Sequence, residues 1–174
     1  ASIPGIRRSK NRLALIGMDM GRAPGRSTMK KIREVLLEKA GIGNLFLVAS
    51  HTHHGPCMEL EKTGLTAAYI KTLVDRIVAA SVSAVKSLRP AKMGLASRQV
   101  NLNRNRHDRR AGAPVDRTLS VVRVVALDDS SIATVVNYAA HPTTLPAIMM
   151  KYSSDYPGIL KDLVEKALGG VCVF

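Results

Sequence analysis

Three of the five histidines in this 174-residue chain fall within four positions: His51, His53 and His54, in the stretch VASHTHHGPCMEL. A fourth, His141, opens a second loop, HPTTLPAIMM. Imidazole nitrogen suits zinc, and a catalytic zinc keeps one position open for water. In an extended segment alternate side chains share a face, so His51 and His53 are expected to point one way and His54 the other. Joined by His141, they predict a divalent-metal site. The competing reading is a set of hydrogen-bonded loop histidines. Spacing does not fix the remaining ligands; Glu59, Glu61, Asp19 and Asp155 are the acidic candidates. Cys57 is an alternative nucleophile, but the sequence places neither an oriented base nor an oxyanion hole beside it.

The second chemistry-bearing stretch is NLNRNRHDRRAGAPVD, with Arg104, Arg106, Arg109 and Arg110. Arg104, between two asparagines, is the arginine expected to turn into the site and hold a substrate oxygen or a developing oxyanion. Arg109 and Arg110 are expected to stay solvated. The formal net charge is +13, and such a field attracts anions. A basic module binding nucleic acid or an anionic membrane, with structural histidines, is therefore the rival class. Only 3% of residues are aromatic and there is no Trp. With few rings to stack on bases and no recognition motif, no specific nucleic-acid partner is expected.

These residues need strands and helices to hold them. Leu13 to Gly21 is a nearly continuous apolar run and reads as a buried strand. The GRAPGRS loop that follows lacks the Gly-Lys-Ser/Thr ending of a phosphate loop. Ser27 is placed to cap a helix over Thr28 to Ala40, with Met29, Ile32, Leu36 and Ala40 on one face and Gly41 ending it. Asn44 to Ser50 is a second buried strand, and the histidine loop leaves its carboxyl end. A long helix follows, about Leu65 to Leu88, with Ile70, Leu73, Val74, Ile77, Ser81 and Val85 as its buried stripe and Pro90 after it. Ala91 to Val100 is a weaker strand. Two β-branched runs around LDDSS read as a hairpin. His141 opens the next loop, then come a helix at about Tyr156 to Ala167 and the start of a last strand.

The order of elements predicts an α/β fold: a mixed β-sheet with flanking helices and the site at the carboxyl ends of strands. The length suits one domain, residues 1–174, and 46% apolar composition supplies a core. Two cysteines, Cys57 and Cys172, set no disulfide framework. No apolar run reaches the roughly 18 residues of a membrane span, and the N-terminus does not read as a signal peptide. The chain stops in an apolar stretch, VCVF, so it is expected to be a piece of a longer catalytic domain, cut at the C-terminus and at the N-terminus.

Four segments then carry a resemblance. SHTHHGP resembles the His-Thr-His-Ser-Gly-Pro motif of the neutral, non-lysosomal ceramidases. NLNR resembles their Asn-x-Asn-Arg. TLSVVRV with VVNYAAHPTTL resembles their strand pair ending in Asn-Phe-Ala-x-His-x-Thr, and YSSDYPG their Ser-Ser-Asp-x-x-Gly. The order matches over nearly the whole chain. The resemblance implies a zinc-dependent amide hydrolase that cleaves N-acylsphingosine (ceramide) to sphingosine and a fatty acid through an activated water. His51 and His141 would be zinc ligands, with His53 and Arg104 catalytic. A Glu and a Tyr ligand would come from beyond Phe174, so the isolated fragment is expected to be inactive. The implied partner is a ceramide-like lipid amide, with an anionic membrane surface as a further one. The implied setting is secreted, periplasmic or at a membrane surface. His54 departs from the family Ser, Cys57 from a usual Gly, and Asn105-Arg106 from Ser-Pro. All three lie beside the expected pocket, and the basic loop suits a different acyl-amide or a charged substrate.

Overall fold

The computed structural model describes residues 9–56 and 64–174. Its elements run β1 (Ser9–Met18), α1 (Arg26–Ala40), β2 (Ile42–Ala49), α2 (Gly64–Lys86), β3 (Ala91–Gln99), β4 (Thr118–Ala126), β5 (Ser131–Asn137), α3 (Asp155–Leu168) and β6 (Val171–Val173). The mixed α/β architecture is as expected, with the strands divided between two sheets. One is a parallel pair, β1 with β2; the other has the order β3-β4-β5-β6. The chain forms two compact units. One holds the described residues up to Ala49 and those of Gly55–Arg89; the other holds Ser50–His54 and Pro90–Phe174.

The first unit is a β-α-β crossover plus α2. Parallel strands need such a crossover because a tight turn can join only antiparallel neighbours. Ile32, Leu36 and Ala40 recur at helical spacing on α1 and are fully buried. They pack with Ile42 and Leu47 of β2 and Val74 and Ile77 of α2. Gly41 ends α1 at φ 64, its N–H donating to the Leu36 carbonyl; this left-handed position is one that glycine takes without penalty. The helix start differs from expectation. Gly25, not Ser27, is the N-cap residue, because the Gly25 carbonyl accepts the first helical bond from the Met29 N–H at 2.9 Å. Ser27 is then already inside the first turn.

The second unit is a hairpin sheet finished by a second crossover. β3 pairs antiparallel with β4 and β4 with β5. The β4–β5 turn takes Asp129 at φ 64. From β5 the chain passes through α3 and returns as β6, parallel to β5. Thr134, Val136, Pro157 and Cys172 are buried here. Burial raises the Cys172 thiol pKa, and the Glu165 charge adds to that.

Candidate metal centre

The segment Ser50–His54 follows β2 and packs within the second unit. It is not an extended strand. His51 sits at φ 67, a left-handed conformation that costs a non-glycine residue about 1–3 kcal/mol unless its surroundings impose it. Those surroundings are polar staples. Thr52 is fully buried, and its Oγ1 donates to the Ser153 carbonyl at 2.7 Å and accepts from the His54 N–H at 3.2 Å. The Ser153 N–H donates to the His54 carbonyl at 3.0 Å. His54 is buried too, its Nε2 3.3 Å from the Pro146 carbonyl. That contact bonds when Nε2 carries the proton.

With Thr52 and His54 held inward, the rings of His51 and His53 meet His141. The His51–His53 centroids are 5.1 Å apart, and each lies 4.8 Å from that of His141. Nε2 of His53 and Nε2 of His141 are 2.8 Å apart. One nitrogen from each of the three rings lies within 4.8 Å of the others. The grouping of His51 with His53 is therefore a product of the kink at His51 and the Thr52 staple, not of strand alternation. Among the described residues, this is the His/Cys/Asp/Glu group that could hold a metal ion.

The loop after β5 fixes His141 from several sides. Asn103 Nδ2 donates to the Ala139 carbonyl at 2.6 Å, and also to that of Asp116 at 2.6 Å. The Tyr156 hydroxyl donates to the Ala140 carbonyl at 2.6 Å. Burial, then the charges of Asp155 and Tyr138, push the Tyr156 pKa up to about 12, so the hydroxyl stays a donor across ordinary pH. Beyond His141, Asp155 accepts from the Thr144 N–H at 3.0 Å, the Thr144 hydroxyl at 2.7 Å and the Leu145 N–H at 3.3 Å. Burial of Asp155 works to raise its pKa, but these bonds and that from the Tyr156 N–H outweigh it, and the net shift is downward. The His141 pKa is lowered, first by burial and then by the charges of Arg106, His51, His53 and His107. A neutral imidazole, with a free lone pair, is the form a metal requires.

The remaining candidates divide. Asp155 is occupied with Thr144 and Leu145 and is outside the histidine group. Asp19 belongs to the other compact unit. Cys57, Glu59 and Glu61 lie outside the described residues. Arg104 is exposed and lines a cavity of about 590 Å³ with Asn105, Arg106, Asp108, Arg109, Arg110 and neighbouring residues. Sequence reasoning missed Thr52, Asn103 and Tyr156. Thr52 and Asn103 shared short motifs with the histidines and Arg104, and Tyr156 lay in the YSSDYPG motif.

No protein-family model matches the chain. Among curated proteins it is similar to neutral ceramidase A of Dictyostelium discoideum, 31% identical over 146 residues, 73% of this chain and 20% of that protein. Neutral ceramidase B of the same organism is 27% identical over the same shares. Among solved structures, a ceramidase complexed with C2 superimposes with a TM-score of 0.77 at 22% identity, covering 93% of this chain and 29% of that one. The neutral ceramidase of Pseudomonas aeruginosa gives 0.76, also at 22% identity, over 92% of this chain and 29% of its own. The chain thus spans about a fifth of the length of the curated relatives it matches.

Proposed function

We propose that this chain, a relative of the neutral ceramidases, carries part of a zinc-dependent amide-hydrolase site that cleaves a ceramide-like lipid amide. The observation behind this reading is the convergence of His51, His53 and His141 from two loops, one nitrogen from each within 4.8 Å of the others. The donor set fits the ion. Zinc–nitrogen bonds of about 2.0–2.1 Å in a tetrahedron put ligand nitrogens roughly 3.3 Å apart, against at most 4.8 Å between the nitrogens offered here. Residues beyond this chain would complete the coordination.

In this reading His51 and His141 are the ligands. When bound, zinc supplies Lewis acidity: it lowers the pKa of water toward neutrality and polarises a carbonyl. His53 then stands beside a ligand with Nε2 able to accept and return a proton. Arg104 holds the amide oxygen as charge develops on it, through its planar guanidinium donors. Asn103, Tyr156 and Asp155 act on His141 through its chain neighbours Ala139, Ala140, Thr144 and Leu145 and are positioning residues.

The test is hydrolysis of N-acylsphingosine by the full protein, before and after chelation and zinc return, with a His53→Gln variant. Chelation is expected to abolish turnover and zinc to restore it. His53→Gln is expected to keep its metal and lose roughly 10²–10⁴-fold in kcat, the usual worth of a general base. Turnover indifferent to chelation, or to His53→Gln, would refute the assignment.

A further inference from the structure

The loop between β3 and β4 has a feature that hydrolysis of a neutral amide leaves unused. Between Asn101 and Arg117 stand five arginines and two aspartates. All five, Arg104, Arg106, Arg109, Arg110 and Arg117, line the same cavity. Asp108 is committed to Arg110, 2.7 Å from its Nη2, and this pairing lowers the Asp108 pKa. Asp116 accepts from the Thr118 N–H at 2.9 Å. Arg117 Nε meets only the neutral Asn101 side chain, at 3.1 Å, and Arg106 Nε meets His107 Nε2 at 3.2 Å. More cationic charge converges on the cavity than its own acids offset. Like charges gathered in a concave wall repel, and the repulsion is relieved when an anion enters.

The cavity wall is braced by hydrogen bonds. Asn105 Oδ1 accepts from the N–H groups of His107 and Asp108, each at 3.0 Å. Asn105 Nδ2 donates across the loop to the Pro114 carbonyl at 3.1 Å, and the Ala113 N–H donates to the Arg110 carbonyl at 3.1 Å. The loop is also tied to the histidine centre. Asn103 reaches the Ala139 carbonyl, and the Leu102 N–H donates to the Tyr138 hydroxyl at 3.0 Å, both just before His141.

We propose that this arginine-lined cavity is an anion subsite of the same active centre, and that beside the neutral ceramide-like amide the centre takes a related amide carrying an acidic group, a carboxylate or phosphate, which the cavity holds. This rests on the hydrolase reading above and widens its substrate class. About 590 Å³ is within the size of a small-molecule pocket. No aromatic side chain lines it, so it offers no platform for stacking bases. The five arginines are exposed around an open cavity, whose limited volume favours a discrete anion over an extended membrane surface. Guanidinium groups pair oxyanions through two parallel hydrogen bonds, the geometry that carboxylate and phosphate share.

The test is calorimetric binding by the full protein, with no turnover required. The probes are N-hexanoylglycine, its neutral isostere N-hexanoylglycinamide, and inorganic phosphate. The proteins are the native chain, the Arg106→Gln/Arg109→Gln double variant and an Arg109→Lys control. The acidic amide is expected to bind about tenfold or more tightly than the neutral one, the worth of a charge-assisted hydrogen bond. Phosphate should compete with it, and the preference should vanish in the double variant and persist in Arg109→Lys. Equal binding of the two amides by the native chain would overturn the subsite. So would binding to vesicles containing phosphatidylserine, absent with pure phosphatidylcholine, without binding of either soluble anion. Hydrolysis of the acidic amide is assayed separately: a subsite that binds the anion while turnover ignores chelation would refute the zinc reading and leave the subsite standing.

Discussion

Nε2 of His53 and Nε2 of His141 lie 2.8 Å apart, although 88 residues of chain separate the two histidines. That contact couples the histidine loop to the loop after β5. It also makes the two rings interdependent, because a nitrogen donating or accepting there cannot at the same time hold a metal. A bound ion is expected to break this bond and leave the His53 nitrogen free for proton transfer. The imidazole NMR signals of His53 and His141 should therefore both shift on metal addition, and unchanged signals would contradict the coupling.

His51→Gly and His51→Ala should separate strain from ligation. At φ 67 alanine keeps the penalty of the left-handed region and glycine does not. The glycine variant is expected to be the more stable by about 1 kcal/mol, while both lose metal alike. Equal denaturant midpoints would mean that the backbone at His51 is not strained.

Asp155→Asn should cost about 2 kcal/mol, since a buried carboxylate loses hydrogen bonds from Thr144 and Leu145. The pH dependence has a definite sign. The folded pKa lies below the ordinary value of 3.8, so the unfolded chain takes up the proton first on acidification. The stabilisation is complete above pH about 4 and is lost as pH falls through the lower folded pKa. Stability of the native chain should fall more steeply over that acid window than that of Asp155→Asn.

Tyr156→Phe removes the donor to the Ala140 carbonyl and should cost about 1 kcal/mol. Here the folded pKa is raised, to about 12 from 10.0. The stabilisation is present below pH 10 and lost as pH rises through the folded value. An alkaline absorbance titration should show one tyrosine ionising late in the native chain and not in the variant.

Gly158→Ala on α3 should be disruptive, because a Cβ there would overlap the Ser154 side chain. A loss of about 1–3 kcal/mol is expected from such overpacking. Pairing it with Ser154→Gly should recover part of that loss, as coupled neighbours do in a double-mutant cycle. Additive losses would place the strain elsewhere.

The elements were readable because their periods were clean. Ile32, Leu36 and Ala40 mark a helix face whatever surrounds them, and the β-branched runs around Asp128 and Asp129 mark a hairpin. The division of strands between two sheets was not readable, since pairing depends on which apolar faces meet and both sheets use similar residues. His51, His53 and His141 stood out because imidazole is rare and chemically specific. Their grouping was expected for a reason that differs from the structure: strand alternation, where the chain uses a left-handed residue and a buried threonine. Thr52, Asn103 and Tyr156 stayed hidden because a hydroxyl or amide has no signature until the carbonyl it meets is known.

The most direct measurement is zinc content, by elemental analysis, of the full protein beside its His51→Ala and His141→Ala variants. The proposed site predicts about one zinc per chain in the native protein and none retained in either variant. A metal-free native protein, or zinc that survives both substitutions, would contradict it.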